Sequence, residues 1–125
     1  MANLSEANLS DSNFNRAKLF KANLTQANLF RTDLSQANLS LANLSLADLG
    51  QANPGRANLK GTNFSQTDLR GADLSGADLS NADLSGADLS QANLKGVNLL
   101  TARYDQATVW PVNFDPIPRG ATCED

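Results

Sequence analysis

The chain has 125 residues, 41% of them hydrophobic, with 10 basic and 13 acidic side chains and no histidine. A formal net charge of −3 has the wrong sign for nucleic-acid binding, and without histidine the common general base near neutral pH is missing. One cysteine excludes an intrachain disulfide, and no stretch has the length of a signal-peptide core or a membrane span.

From Ala2 the chain repeats a five-residue unit, Ala-(Asn/Asp)-Leu-x-x. Twenty-three centres run from Leu4 through Leu9, Phe14 and Leu19 to Phe114, and only Pro54, Tyr104 and Val109 are neither Leu nor Phe. Two residues earlier stands Ala or a small exception: Ser12, Thr32, Thr62, Thr67, Val97 or Val112. On a helix each such step would turn the next Leu by about 140°, so no apolar stripe forms. A flat strand needs continuous alternation, which here lasts only from Ala to Leu. The period instead predicts a solenoid of short extended pieces joined by corners. Ala and Leu fill its narrow inside, and each coil depends on its neighbours for stability.

The repeat begins at once, so the first coil is expected to be open, favouring an end-to-end homodimer or a docked partner. Residues 16–31 carry Arg16, Lys18, Lys21 and Arg31 without an acid. Phe20, Phe30, Leu41 and Leu46 fall at outward positions and form a candidate partner surface. Pro54 stands where a Leu should point inward, and because Leu59 resumes on schedule a shallow defect or bulge is expected there. The last position of early units is Glu6, Asp11, Arg16 and similar residues, whereas later units have Gly61, Gly71, Gly76, Gly86 and Gly96. Mostly type I corners are therefore expected in the first half and more type II corners in the second. Asp73, Asp78, Asp83 and Asp88 lie in a segment without Lys or Arg. Beyond Tyr104 the Leu rule breaks. Tyr104, Trp110, Phe114 and Ile117 are expected to fold over the last coil as a cap, with Pro116 and Pro118 stopping further winding. Residues 1–118 then make the solenoid and 119–125 a flexible tail bearing an exposed Cys123.

These residues resemble the pentapeptide repeat family, whose units centre on Leu or Phe with a small residue two before and Asn or Asp between. The resemblance spans about nine-tenths of the chain. It implies an all-β fold, a right-handed parallel β-helix of quadrilateral section with four units per coil. Coils would run 2–21, 22–41, 42–61, 62–81 and 82–101, with three-quarters of a sixth to residue 116, about 5.75 coils in all. At about 4.8 Å per layer the rod is roughly 27 Å long.

Residues twenty apart then share a column. Asn8, Asn28, Asp48, Asp68 and Asp88 form one column. The Asn and Asp side chains are expected to bind backbone amides at the corners. The stacked Asp48, Asp68 and Asp88 add a negative strip for a basic partner. Ser5, Thr25, Ser45, Ser65 and Ser85 form a hydroxyl ladder, the basis for an ice-binding alternative. Some family members are acidic rods that mimic duplex DNA and bind type II topoisomerases. Here the successive Asp residues wind around the rod, and Arg70 and Lys95 interrupt them.

No catalytic, cofactor or metal site is predicted, because the serines have no adjacent base and no metal-ligand spacing or phosphate loop appears. The leading reading is a non-catalytic scaffold that binds an unidentified protein in the cytoplasm of a cyanobacterium, without direct nucleic-acid or membrane contact. A DNA-mimicking inhibitor of DNA gyrase and an ice-binding or purely structural rod are the alternatives. The resemblance also likens the C-terminal segment to the closing segment of cyanobacterial members.

Overall fold

The computed structural model describes residues 1–124. Parallel pairing joins residues twenty apart along the repeat, from Asn3 with Asn23 and Asn8 with Asn28 to Asp83 with Arg103. Paired residues stand twenty apart, and a turn recurs every five residues between them. The fold is thus a parallel β-helix whose extended pieces are only a few residues long.

One hydrogen-bond scheme repeats throughout. The Leu24 N–H donates to the Asn43 carbonyl at 2.8 Å, and the Asn43 N–H donates back to Ala22 O at 2.9 Å. At the corner, Gln26 N–H reaches Ser45 O at 3.0 Å while Ala27 N–H closes the turn onto Leu24 O, also at 3.0 Å. The Asn or Asp of each unit then accepts the N–H two residues on, as Asn23 Oδ1 does from Thr25 at 3.0 Å. This holds from Asn3 to Asn98 except at Lys18, as the turn chemistry of these residue types predicts. Leu24, Leu29, Leu34 and Leu39 are fully buried in a continuous column with Ala22, Ala27 and Ala37. Thr32, Thr62 and Thr67 replace Ala there, and each donates its hydroxyl to a carbonyl of the preceding coil.

The corners differ from expectation. Glu6, Gln26 and Leu46 hold φ of 61°, 60° and 62°, hardly different from Gly86 at 68°. Positive φ at the third corner position, the mark of type II, therefore runs through both halves. Most of these residues direct their N–H at a carbonyl of the next coil, but Gln91 keeps a φ of 61° without that bond among the described residues, so the turn itself, closed there by Ala92 N–H onto Leu89 O at 3.0 Å, holds the left-handed conformation.

Pro54 keeps the register and is buried, with Ala57 N–H closing the corner onto its carbonyl at 3.0 Å. Having no N–H, it cannot donate to Asp73 as its neighbours in the scheme do, and the pairing of Asn53 with Asp73 is missing from the ladder. The other bond of that pair survives, Asp73 N–H to Ala52 O at 2.9 Å. The defect costs one hydrogen bond and no register.

The C-terminal segment corrects three expectations. Asp88 pairs with Val109, a spacing of twenty-one, so one extra residue has entered the coil after Arg103. Val109 is consequently exposed, Val112 is 90% exposed, and Trp110 takes the inward place assigned to Val109. Asp105 absorbs the extra residue. Its carboxylate accepts the Gly86 N–H at 3.0 Å, standing in for the backbone carbonyl that the ladder lacks there. Ile117, expected in the cap, is 67% exposed at the start of a short 3-10 helix, Ile117–Arg119, while Tyr104, Trp110 and Phe114 do pack on the core. The prolines do not end the winding. Strand β1, Arg103–Tyr104, pairs in parallel with β2, Thr122–Cys123, so residues 119–124 are part of the stack and not a tail. Asp125, the last residue of that expected tail, lies outside the described residues.

Candidate functional site

One side of the rod is interrupted. Along the column Ser10, Phe30, Gly50, Arg70 and Ser90, a glycine separates two large side chains. A Cβ on Gly50 would stand 3.1 Å from both the Phe30 ring and Asp48 Oδ1, so the missing side chain is what lets Phe30 lie against the next coil. The result is an open notch of about 280 Å³ walled by Phe30, Asp48, Asp68 and Arg70, with Gln51 and Gln91 at its edge.

The electrostatics of this notch are mixed. Asp48 uses one carboxylate oxygen to accept Gly50 N–H at 2.8 Å. Arg70 clamps Asp68 with two bonds, Nε to Oδ1 at 3.0 Å and Nη2 to Oδ2 at 2.8 Å, and lies 4.0 Å from Asp88. The Arg70 side-chain bond, reinforced by its backbone N–H and its charge, holds the Asp68 carboxyl below the usual carboxylate range against partial burial. The three stacked carboxylates therefore carry an arginine on top of them, and the expected negative strip is broken at its middle. Arg31 lies over the Phe30 ring at 5.6 Å and pairs with Asp11 at 2.9 Å, adding a second cation beside the aromatic wall.

The predicted surface residues separate into two groups. Phe30, Asp48 and Asp68 line the notch with Asp88 beside it, and Phe30 is half-buried instead of outward. Leu41 is exposed in a different, largely apolar hollow of about 260 Å³ with Ser40, Lys60, Gly61 and Asn81. Phe20 stands one coil before Ser40 on that column with Lys21 over its ring, and Leu46 is exposed at the next corner. Gly50, Arg70, Gln51 and Gln91 were missed by sequence reasoning. Their signal was the column itself, in which a glycine falls between Phe and Arg at twenty-residue spacing.

At the C-terminal end Trp110 meets Tyr104 edge-on at 5.4 Å and stacks on Phe114 at 5.3 Å, with Arg119 over the Phe114 ring at 4.7 Å. These three rings are partly buried against the core. The hydroxyl ladder is turned inward to its own coil: Ser5, Thr25, Ser45 and Ser85 each donate to the Asn or Asp two residues before. Among the described residues no cluster of three metal-ligating side chains occurs. Among the described residues no helix is long and apolar enough to cross a membrane.

The family described as Pentapeptide repeats (8 copies) matches residues 2–36, 37–76 and 72–102. Three solved cyanobacterial structures are similar. The pentapeptide repeat protein alr5209 from Nostoc is 43% identical over 90% of this chain and 84% of its own, with a TM-score of 0.64. Rfr23 from Cyanothece 51142 is 34% identical over 87% of this chain and 88% of its own, with a TM-score of 0.56. HetL from Nostoc, a protein involved in heterocyst differentiation regulation, is 31% identical over 98% of this chain and 70% of its own, with a TM-score of 0.51. No curated protein matches the chain.

Proposed function

We propose that this chain, which belongs to the pentapeptide repeat family, is a non-catalytic scaffold that binds another protein through the side bearing the Gly50 notch. The observation that carries the reading is the notch itself. An aromatic wall, two carboxylates and an arginine converge where one side chain is absent. Such a mixture of Phe, Arg and acid suits a protein surface, which combines an apolar anchor with charged registration.

The same reading has four sides per coil and about 5.75 coils through residue 116, right-handed as in family members of known structure. It treats residues 1–118 as the body of the rod, extended by the C-terminal strand. It has the protein working in the cytoplasm of a cyanobacterium, without cofactor, nucleic acid or membrane, which the mild negative charge and single cysteine support. The DNA-mimic alternative rests on an acidic surface, and Arg70 and Lys95 interrupt the acidic half of this chain.

The test is capture from a cyanobacterial lysate with two baits, the parent chain and a variant carrying Phe30→Ser and Arg70→Glu. A partner retained by the first and lost by the second, at equal melting temperature, is the expected result. Identical retention by both would remove the notch from the reading. Inhibition of DNA supercoiling by the parent chain would favour DNA mimicry instead.

A further inference from the structure

We infer that the side of the rod bearing Lys18, Lys60 and the Leu41 hollow binds an acidic segment of another protein and seats one of its aliphatic side chains in the hollow. This side lies half a twenty-residue period from the notch column and is a second, separate surface.

Its charge sets it apart. Arg16, Lys18, Lys21, Arg56 and Lys60 are half of the ten basic residues in a chain of net charge −3. All five are exposed, and none forms an ion pair among the described residues. Arg31, Arg70 and Arg103 are by contrast each matched to a carboxylate. The ladder brings the five together. Lys18 pairs with Asn38 and Asn38 with Asn58, which sets Lys60 two layers from Phe20, about 10 Å along the rod. Arg16 and Arg56 stand at the corner before this column, and Lys21 and Leu41 at the corner after it.

Lys18 breaks a local rule to be there. All the Asn and Asp positions of the repeat from Asn3 to Asn98 accept the N–H two residues on, as Asn38 and Asn58 do at 3.0 and 3.1 Å. A lysine has no acceptor, so this unit forgoes the bond, and its exposed side chain gains no packing in return. A departure from the local pattern without structural gain points to a residue kept for contact.

The hollow owes its shape to a glycine. A Cβ on Gly61 would stand 2.7 Å from Leu41 Cδ2, so the missing side chain is what lets Leu41 lie over the next coil. Leu41 and Phe20 are 54% and 49% exposed, which leaves apolar surface rimmed by cations. The hollow of about 260 Å³ has ample room for one branched aliphatic side chain.

Charge and shape together select the occupant. Carboxylates complement the five unmatched cations, and the hollow calls for an apolar anchor among them. A lipid surface is flat. It would leave the hollow unfilled and press Asp78, one layer beyond Asn58 on the same column, against anionic headgroups. Single-stranded nucleic acid binds by stacking on open aromatic rings, and Lys21 Nζ already lies over the Phe20 ring at 5.2 Å. An extended peptide rises about 3.3 Å per residue, so about three residues span the two layers. A leucine with acids within two places on both sides therefore meets the hollow and the cations of both layers.

The probe is a fluorescein-labelled peptide, Gly-Glu-Glu-Leu-Glu-Glu-Gly, and the readout is its anisotropy with the purified chain. Binding is expected with a Kd below about 100 μM at low salt, weakening several-fold as salt is raised. A peptide with Ser in place of Leu should bind at least about fivefold more weakly. Lys60→Glu should weaken binding at least about tenfold. Leu41→Gln, a residue type that Gln26 and Gln36 already hold at positive φ, should weaken it about threefold.

Lys18→Asn is the sharpest variant. It restores the turn bond of Asn38 and Asn58, so the melting temperature should rise while peptide affinity falls at least about threefold. A role in folding alone would leave the affinity untouched. The notch variant with Phe30→Ser and Arg70→Glu should bind the peptide as the parent does, because it alters a different surface. No binding up to about 1 mM chain, equal affinity for the Leu and Ser peptides, an affinity that Lys18→Asn leaves unchanged, or its loss in the notch variant would each overturn the inference. So would tighter binding to phosphatidylglycerol vesicles or to single-stranded DNA than to the peptide at equal salt, which would assign this side to those ligands.

Discussion

At most corners of the rod one residue carries a conformational cost that its hydrogen bonds must offset. Fifteen corner residues other than glycine hold φ between 54° and 62°, a region that costs an L-residue about 1–2 kcal/mol. The ladder bond from that residue and the Asn or Asp bond beside it compensate. Glycine at Gly61, Gly71, Gly76, Gly86 and Gly96 therefore relieves a strain that every corner shares and does not mark a different corner. Gly96 gives the clean measure. A Cβ there would meet only the Gly76 backbone at 3.7 and 3.8 Å, ordinary contacts, so Gly96→Ala should cost about 1 kcal/mol through conformation alone. Urea denaturation of parent and variant decides it, and a loss above about 3 kcal/mol would contradict the account. The Asn and Asp bonds were legible from residue type because they are local. The corner φ was not, because Glu6, Gln26 and Leu46 carry no glycine to signal the left-handed turn that they adopt.

At the scale of one element, the closing segment shows how far a period can be trusted. Val109 and Phe114 sit on schedule in the sequence, and nothing local reveals that a residue has been inserted before them. The pairing of Asp88 with Val109 exposes the slip, and Asp105 explains how it is tolerated. The rejoining strand Thr122–Cys123 was hidden for another reason: Ala121 fills the small position, but Cys123 stands where a Leu would and the segment follows two prolines. The notch was half legible, since Phe30, Asp48 and Asp68 stood out but the gap at Gly50 needs the stacking to be seen. Asp105 also makes this segment sensitive to acid. Its carboxyl is held below the ordinary range, first by the Gly86 N–H and then by bonds from Thr108 and Ala107. Stability from a depressed carboxyl is present above its unfolded value and is lost as pH falls through the folded one. Fluorescence of Trp110, the only tryptophan, should therefore change below about pH 4 before the far-ultraviolet dichroism of the rod does. Asp105→Asn, which keeps an acceptor but cannot titrate, should flatten that early change. A fluorescence change that survives it would assign the acid response elsewhere.

For the whole molecule, stability is the sum of many similar layers, and a layer's worth depends on having neighbours on both sides. Leu49 is fully buried between Leu29 and Leu69, whereas Leu9 has only Leu29 beneath it and is half-buried. Leu49→Ala should then cost about 2–5 kcal/mol, the range for a buried leucine replaced in a close-packed core. Leu9→Ala should cost under about 2 kcal/mol, because part of its surface is already hydrated. Urea melts of the two variants measure the difference. A Leu9→Ala penalty as large as that of Leu49→Ala would contradict this dependence of each layer on its neighbours, since only Leu49 is packed from both sides.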